Sequence, residues 1–190
     1  MKKRLRIEYF LVAAVMLLLF VGSIAATNFF FQKEMVAQQE TYLRRKNTLL
    51  TDQLPPSVFE KGQLTNQQQL LVTHALDDAE ERVTLLQKNG TVFFDSSQNE
   101  PLESHKKRPE IAAVLSGAAY GSALRKSKTL NKELLYVATP VLKSGEIVGI
   151  IRISEQTALF SKNIQSFRRY IIFTFGILFL LITLFIFLLL

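Results

Sequence analysis

Five residues mark out the chemistry open to the middle of this chain: Asp95, His105, Arg108, Arg125 and Tyr136. A guanidinium presents a planar fork of donors, so His105, Arg108 and Arg125 could together hold an anion. The same arginines could instead pair with Asp95 or Glu110 and hold a loop down, which is the reading we favour. Asp95 could accept a hydrogen bond from a ligand, or it could close an Asx turn on the backbone that follows, as Asp before Ser often does. The turn is preferred. Tyr136 suits a core position with its hydroxyl at the edge. His74 is a lone histidine on an apolar helix face and reads as a core or boundary residue. No His, Asp or Glu spacing fits a metal, and no nucleophile is matched to a base. The absence of Cys removes disulfides and thiolate chemistry. No cofactor is expected in this chain and no catalytic residue is assigned.

The elements that must position these groups can be read from periodicity. In "RVTLLQKNGTVFFDSSQNE", Arg82 to Glu100, apolar residues alternate on either side of Asn89-Gly90. Asn-Gly is a strong hairpin signal because both residues tolerate φ > 0. Strands are expected over Arg82–Gln87 and Thr91–Asp95, followed by a polar loop, Ser96 to Lys107. Arg108-Pro109-Glu110 opens a short helix, with Pro109 at a natural first-turn position and Glu110 near the positive helix end. It closes near Gly117. Three further strands are expected near Ser122–Lys128, Leu134–Leu142 and Ile147–Ser154, the last two joined by Lys143-Ser144-Gly145-Glu146. Before the hairpin, Gln32 to Leu54 has neither Gly nor Pro and reads as helix, stopped by Pro55-Pro56. A second helix is expected from Asn66 to Glu81, and Gln156 to Arg169 reads as a final one. Sequential hairpins imply an antiparallel sheet with helices packed on one face, an α+β domain.

Val36, Leu43 and Leu50 stand seven apart, as do Met35, Tyr42 and Leu49. Such stripes fit a helix packed on its own domain, a seam between two copies, or both at once, although Gln39 and Lys46 at the intervening positions weaken a coiled coil. Val36, Leu43 and Leu50 are the candidate dimer seam.

The chain has 190 residues, is 48% hydrophobic and carries a net charge of +7, but the apolar residues pile up at its two ends. Tyr9–Phe31 and Tyr170–Leu190 are each long enough to cross a hydrocarbon core of about 30 Å at 1.5 Å per residue. Lys2, Lys3, Arg4 and Arg6 precede the first run. They act as a topology signal rather than a nucleic-acid patch and put the N-terminus in the cytoplasm. Arg168 and Arg169 mildly oppose this orientation. Ser23-Ile24-Ala25 would pass as a signal-peptide cleavage site, but the apolar run continues well beyond the usual length, which favours an uncleaved anchor. The expected layout is a basic cytoplasmic start over 1–8, a span over 9–31, an extracytoplasmic domain over 32–169 and a second span over 170–190. Because the sequence stops inside an apolar run, the expectation is a longer parent protein.

The order of elements is similar to the extracytoplasmic PAS-like sensor domain, also called the single Cache domain. "LLQKNGTVFFDSS", "ESHKKRPEI", "LRKSKTL" and "LLYVATPV" resemble the outer domain of Gram-positive phosphate-regulon sensor histidine kinases. The matching elements are Asp95-Ser96, His105, Arg108-Pro109-Glu110, Arg125-Lys126-Ser127 and Tyr136-Val137-Ala138-Thr139-Pro140, within Arg82 to Thr157. The resemblance implies a PAS-like five-stranded sheet with a long N-terminal helix, flanked by two membrane helices. It implies a multi-pass cell-membrane protein acting as a homodimer in a two-component system of the phosphate-starvation response, with a cytoplasmic response regulator as partner. The phosphotransfer part of such kinases, with its ATP and Mg²⁺, is not in this sequence: His74 is followed by Ala-Leu-Asp-Asp, and no glycine-rich nucleotide loop occurs. The alternatives are the sensor half of a chemoreceptor and a free-standing membrane-anchored binding module. Membrane lipid is an expected partner and nucleic acid is not.

Overall fold

The computed structural model describes residues 2–76, 81–97, 104–127 and 131–189. The elements, in order, are α1 (Lys2–Gln53), α2 (Pro56–Lys61), α3 (Asn66–His74), β1 (Arg82–Gln87), β2 (Val92–Asp95), α4 (Pro109–Leu115), β3 (Gly121–Lys126), β4 (Glu133–Lys143), β5 (Glu146–Gln156) and α5 (Thr157–Leu189). Two units are distinguishable: Met1–Met35 with Leu159–Leu190, and Val36–Ala158. The first consists of apolar helix. Phe10–Gln53 contains, and Arg169–Leu188 is, a stretch long and apolar enough to cross a membrane.

The second unit is built on one antiparallel sheet of five strands in the order β2-β1-β5-β4-β3. Side chains alternate between its faces. Val83, Leu85, Leu135, Val137, Val141, Ile151 and Ile153 point to one face, where Leu43, Leu50 and Leu54 of α1, Val58 and Phe59 of α2 and Val72 of α3 complete a closed apolar core. Leu43 and Leu50 are 0% and 2% exposed there, and Val36 packs against the same cluster. The Val36–Leu43–Leu50 stripe therefore packs into the domain's own core. Asn47, on the same side of α1, is fully buried, and its Nδ2 donates to the Val137 carbonyl at 2.9 Å.

The expectation that all helices share one face is corrected. α4 lies on the opposite face, where Ile111 and Val114 pack with Leu86, Ala138 and Ile150. Sequence order cannot show this, because the long connection before α4 can carry the chain to either side. Two further local details differ. Pro55-Pro56 ends α1 but also starts α2, since the fixed φ of Pro56 suits a first helical position. α3 begins with a reciprocal capping box between Thr65 and Gln68 and ends at His74, short of the expected Glu81: Ala75 caps it, Leu76 and Glu81 are not helical, and residues 77–80 lie outside the described residues.

The two hairpin turns differ in backbone conformation. Of Asn89-Gly90 only Gly90 has positive φ, while at the β4–β5 turn both Ser144 and Gly145 do. The Gly90 carbonyl accepts from the His105 N–H at 2.9 Å, and a Cβ at Gly90 would lie 2.7 Å from that of Lys106. The β1–β2 turn thus anchors the returning loop that carries His105.

Candidate functional site

The sheet face beneath α4 carries a buried charge network beside its smaller apolar cluster. Alternation along β1 puts Arg82 and Thr84 on this face, and β2 adds Asp95 opposite Thr84. β5 contributes Arg152, also paired with Thr84. β4 contributes Tyr136, opposite Ala123 of β3, and Arg125 stands two residues further along β3. Arg108 caps the N-terminus of α4, Pro109 starts it, and Glu110 is its second residue, fully buried.

Three arginines face two carboxylates. Arg82 Nε meets both oxygens of Asp95, at 2.8 and 3.0 Å, with both side chains buried. Asp95 also accepts from Thr84 Oγ1 at 2.8 Å and from the Ser97 N–H at 3.0 Å. The Ser97 bond is the Asx turn expected of this residue, so Asp95 closes a turn and neutralises a charge at once. Arg152 Nη2 donates to Thr84 Oγ1 at 2.9 Å, and its Nη1 lies 3.3 Å from Glu110 Oε1. That same oxygen accepts from Arg125 Nη2 at 2.9 Å. Tyr136 supplies an aromatic floor: the Arg125 guanidinium lies 3.7 Å from its ring centroid and that of Arg152 5.2 Å.

The electrostatics follow from this crowding. Burial pushes the His105 pKa down, the positive charges of Arg152, Arg108 and Arg82 push it further, and Asp95 only partly opposes them; it falls to about 4. His105 is therefore neutral at ordinary pH. Burial raises the Glu110 carboxyl, but the hydrogen bond and charge of Arg125 and the charge of Arg152 bring it below its usual value, so it stays ionised. Burial lowers Arg152 to about 10, against the attraction of Glu110. Glu110 Oε2, His105 Nδ1 and the Nε atoms of Arg125 and Arg152 are buried without a hydrogen-bond partner among the described residues.

The five residues singled out in the sequence thus meet different fates. Asp95, His105, Arg125 and Tyr136 come to one sheet face. Asp95 and Arg125 do not pair with each other: Arg82 takes Asp95 and Glu110 takes Arg125. Arg108 is half-buried, makes no side-chain bond among the described residues, and acts on His105 only through its field. Arg82, Thr84 and Arg152 were not anticipated. The available signal was Arg152 itself, a charge set in the apolar run Ile147 to Ser154. An open groove of about 390 Å³ lies elsewhere, between α2, the β1–β2 turn and the start of β5, and no anticipated residue lines it. Among the described residues no group of three His, Asp or Glu could hold a metal.

Several known structures share this architecture. The sensor domain of the Vibrio cholerae histidine kinase DctB superposes with a TM-score of 0.57 at 18% identity, over 73% of this chain and 56% of that one. An extracellular ligand-binding receptor from Desulfohalobium retbaense gives 0.52 at 10% identity, over 67% of this chain and 25% of that one. The Escherichia coli DcuS sensor domain gives 0.51 at 13%, over 70% of this chain and 98% of that one. The chain thus spans only about half the length of the first of these and a quarter of the second. No curated protein matches it in sequence. The family model described as Single Cache-like matches residues 52–156. That match takes in more than half of the chain and every strand of the sheet, so the chain belongs to the single Cache-like family.

Proposed function

We propose that this chain is the sensing and membrane-anchored portion of a two-component sensor histidine kinase of the phosphate-starvation type. Its Cache-like domain lies outside the cell membrane, its N-terminus lies in the cytoplasm, and it works as a homodimer. Phosphotransfer, with ATP and Mg²⁺, and contact with a response regulator belong to a cytoplasmic output domain. The observation that carries the sensor reading is continuity. α1 is a single helix from its apolar stretch to the core residues Leu43 and Leu50, and β5 passes directly into α5 at Thr157. A change in the packing of the sheet therefore has two unbroken elements along which to leave the domain. The phosphate assignment is supported by the residues from Asp95-Ser96 to Tyr136–Pro140 that resemble the phosphate-regulon kinases.

The test is a chimera joining residues 1–190 to the phosphotransfer and ATP-binding domains of a well-behaved sensor kinase. Output that rises on phosphate depletion supports the proposal. Output that responds to another solute but ignores phosphate removes the phosphate assignment. Output unchanged by replacing the outer domain with an inert one removes the sensor reading.

A further inference from the structure

Glu110 holds an unusual place in the charge network. Among the described residues of the network it alone comes from a helix, and that helix is short. Its Oε1 meets the guanidinium groups of both Arg125 and Arg152, and those guanidinium groups lie over the Tyr136 ring. Two guanidinium forks over an aromatic floor make a receptor for a planar oxyanion. Among the described residues only Oε1 is engaged; Oε2 is buried and unbonded, and each arginine keeps a buried Nε without a partner. The seat therefore offers more donors than its occupant uses. The rest of α4 is held chiefly by Ile111 and Val114. The helix also comes very close to β3: a Cβ at Gly121 would lie 2.1 Å from the Glu110 carbonyl oxygen.

We propose that Arg125, Arg152 and Tyr136 form a carboxylate-binding seat whose resident ligand is the chain's own Glu110, so that α4 is a tethered occupant which an external small carboxylate must displace. The tether gives Glu110 a high effective concentration, so free carboxylates at millimolar levels leave the intact protein unchanged. The inference rests on the sensor reading only for its biological use, since the seat can be measured without any output domain.

The test uses the 190-residue chain in detergent, melted in sodium formate, sodium phosphate or sodium chloride at matched ionic strength. Glu110→Ala is expected to lower Tm by roughly 5–10 °C. Formate at tens of millimolar should restore at least half of that loss, beyond any effect of chloride, and the restoration should vanish in Glu110→Ala/Arg125→Ala. Glu110→Gln keeps the side-chain volume and safeguards the test if the alanine variant does not fold. Its weaker occupant should give a formate shift larger than that of the wild type. Formate and chloride acting alike on every folded variant overturns the seat, and a phosphate shift larger than the formate shift overturns the carboxylate class. Neither result bears on the chimera, and a phosphate-blind chimera does not bear on the seat.

Discussion

The pairing of Asp95 can be tested by two double-mutant cycles. Asp95 accepts two bonds from Arg82 Nε, one from Thr84 Oγ1 and one from the Ser97 N–H. Removing one partner of a buried ion pair costs about 3–5 kcal/mol, mostly because the other charge is left stranded. Asp95→Ala also strands the Thr84 hydroxyl, adding about 1 kcal/mol. We therefore expect a loss of roughly 4 kcal/mol for Asp95→Ala and roughly 3 kcal/mol for Arg82→Ala. The double variant should lose about 4–5 kcal/mol rather than the sum, a coupling of about 2–3 kcal/mol. Among the described residues Asp95 and Arg125 share no contact and are linked through Thr84, Arg152 and Glu110. Relayed through three intervening side chains, their coupling should stay below about 1 kcal/mol, well under that of Asp95 with Arg82. Urea unfolding of the chain in a mild detergent, followed by near-UV circular dichroism of its tyrosines, supplies the free energies. An Asp95 coupling to Arg125 as large as that to Arg82, or an Asp95→Ala loss below about 1 kcal/mol, would refute the assignment.

Other outcomes follow from single contacts. His105 takes up a proton near 6.5 when unfolded but only near 4 in the fold, so stability should fall as pH drops between those values, by on the order of 3 kcal/mol at most. His105→Gln should flatten that window and leave intact the further loss below pH 4.5, where Glu110 takes up its proton more readily in the unfolded chain; a pH series of urea midpoints reads both. Gly149→Ala would set a Cβ 2.3 Å from the Phe59 ring and should cost about 1–3 kcal/mol in the same assay. Leu43→Ala should cost about 2–5 kcal/mol and Leu49→Ala little, since Leu43 is fully buried and Leu49 is 60% exposed. In membranes, a single Cys at Leu49 should cross-link between copies while one at Leu43 should not; the reverse pattern would return the seam to Val36, Leu43 and Leu50.

What the sequence disclosed and what it withheld divide along a physical line. Alternation around Asn89-Gly90, the long β4–β5 hairpin and the two apolar ends are local signals, and each appears in the structure near its expected place. The Val36–Leu43–Leu50 stripe was equally visible, but a seven-residue period reports only that a helix face is buried, not whose surface buries it. The arginine partners were not legible at all. Asp95 meets Arg82 because β2 folds back on β1, and Arg152 reaches Thr84 because β5 inserts between β1 and β4. That strand order is a long-range property which no spacing encodes. Arg152 was the missed clue: a charge in an apolar strand announces a buried counter-charge somewhere, and Glu110 at the start of α4 answers it.

The central position of β5 also decides how the outer domain bears load. The strand that leads into α5 is flanked by β1 over Arg82–Gln87 and by β4 along most of its length. A tug at Thr157 along the strand axis therefore loads two ladders of hydrogen bonds in shear, and many must yield together. Had an edge strand led into α5, the same tug could have peeled its bonds away one by one. The domain is built as a stiff coupling rather than a fuse. Pulled in a force spectrometer from Thr157 against Lys88, just past the far end of the neighbouring β1, it should rupture in one high-force event; a staircase of weak ruptures would show that β5 unzips after all.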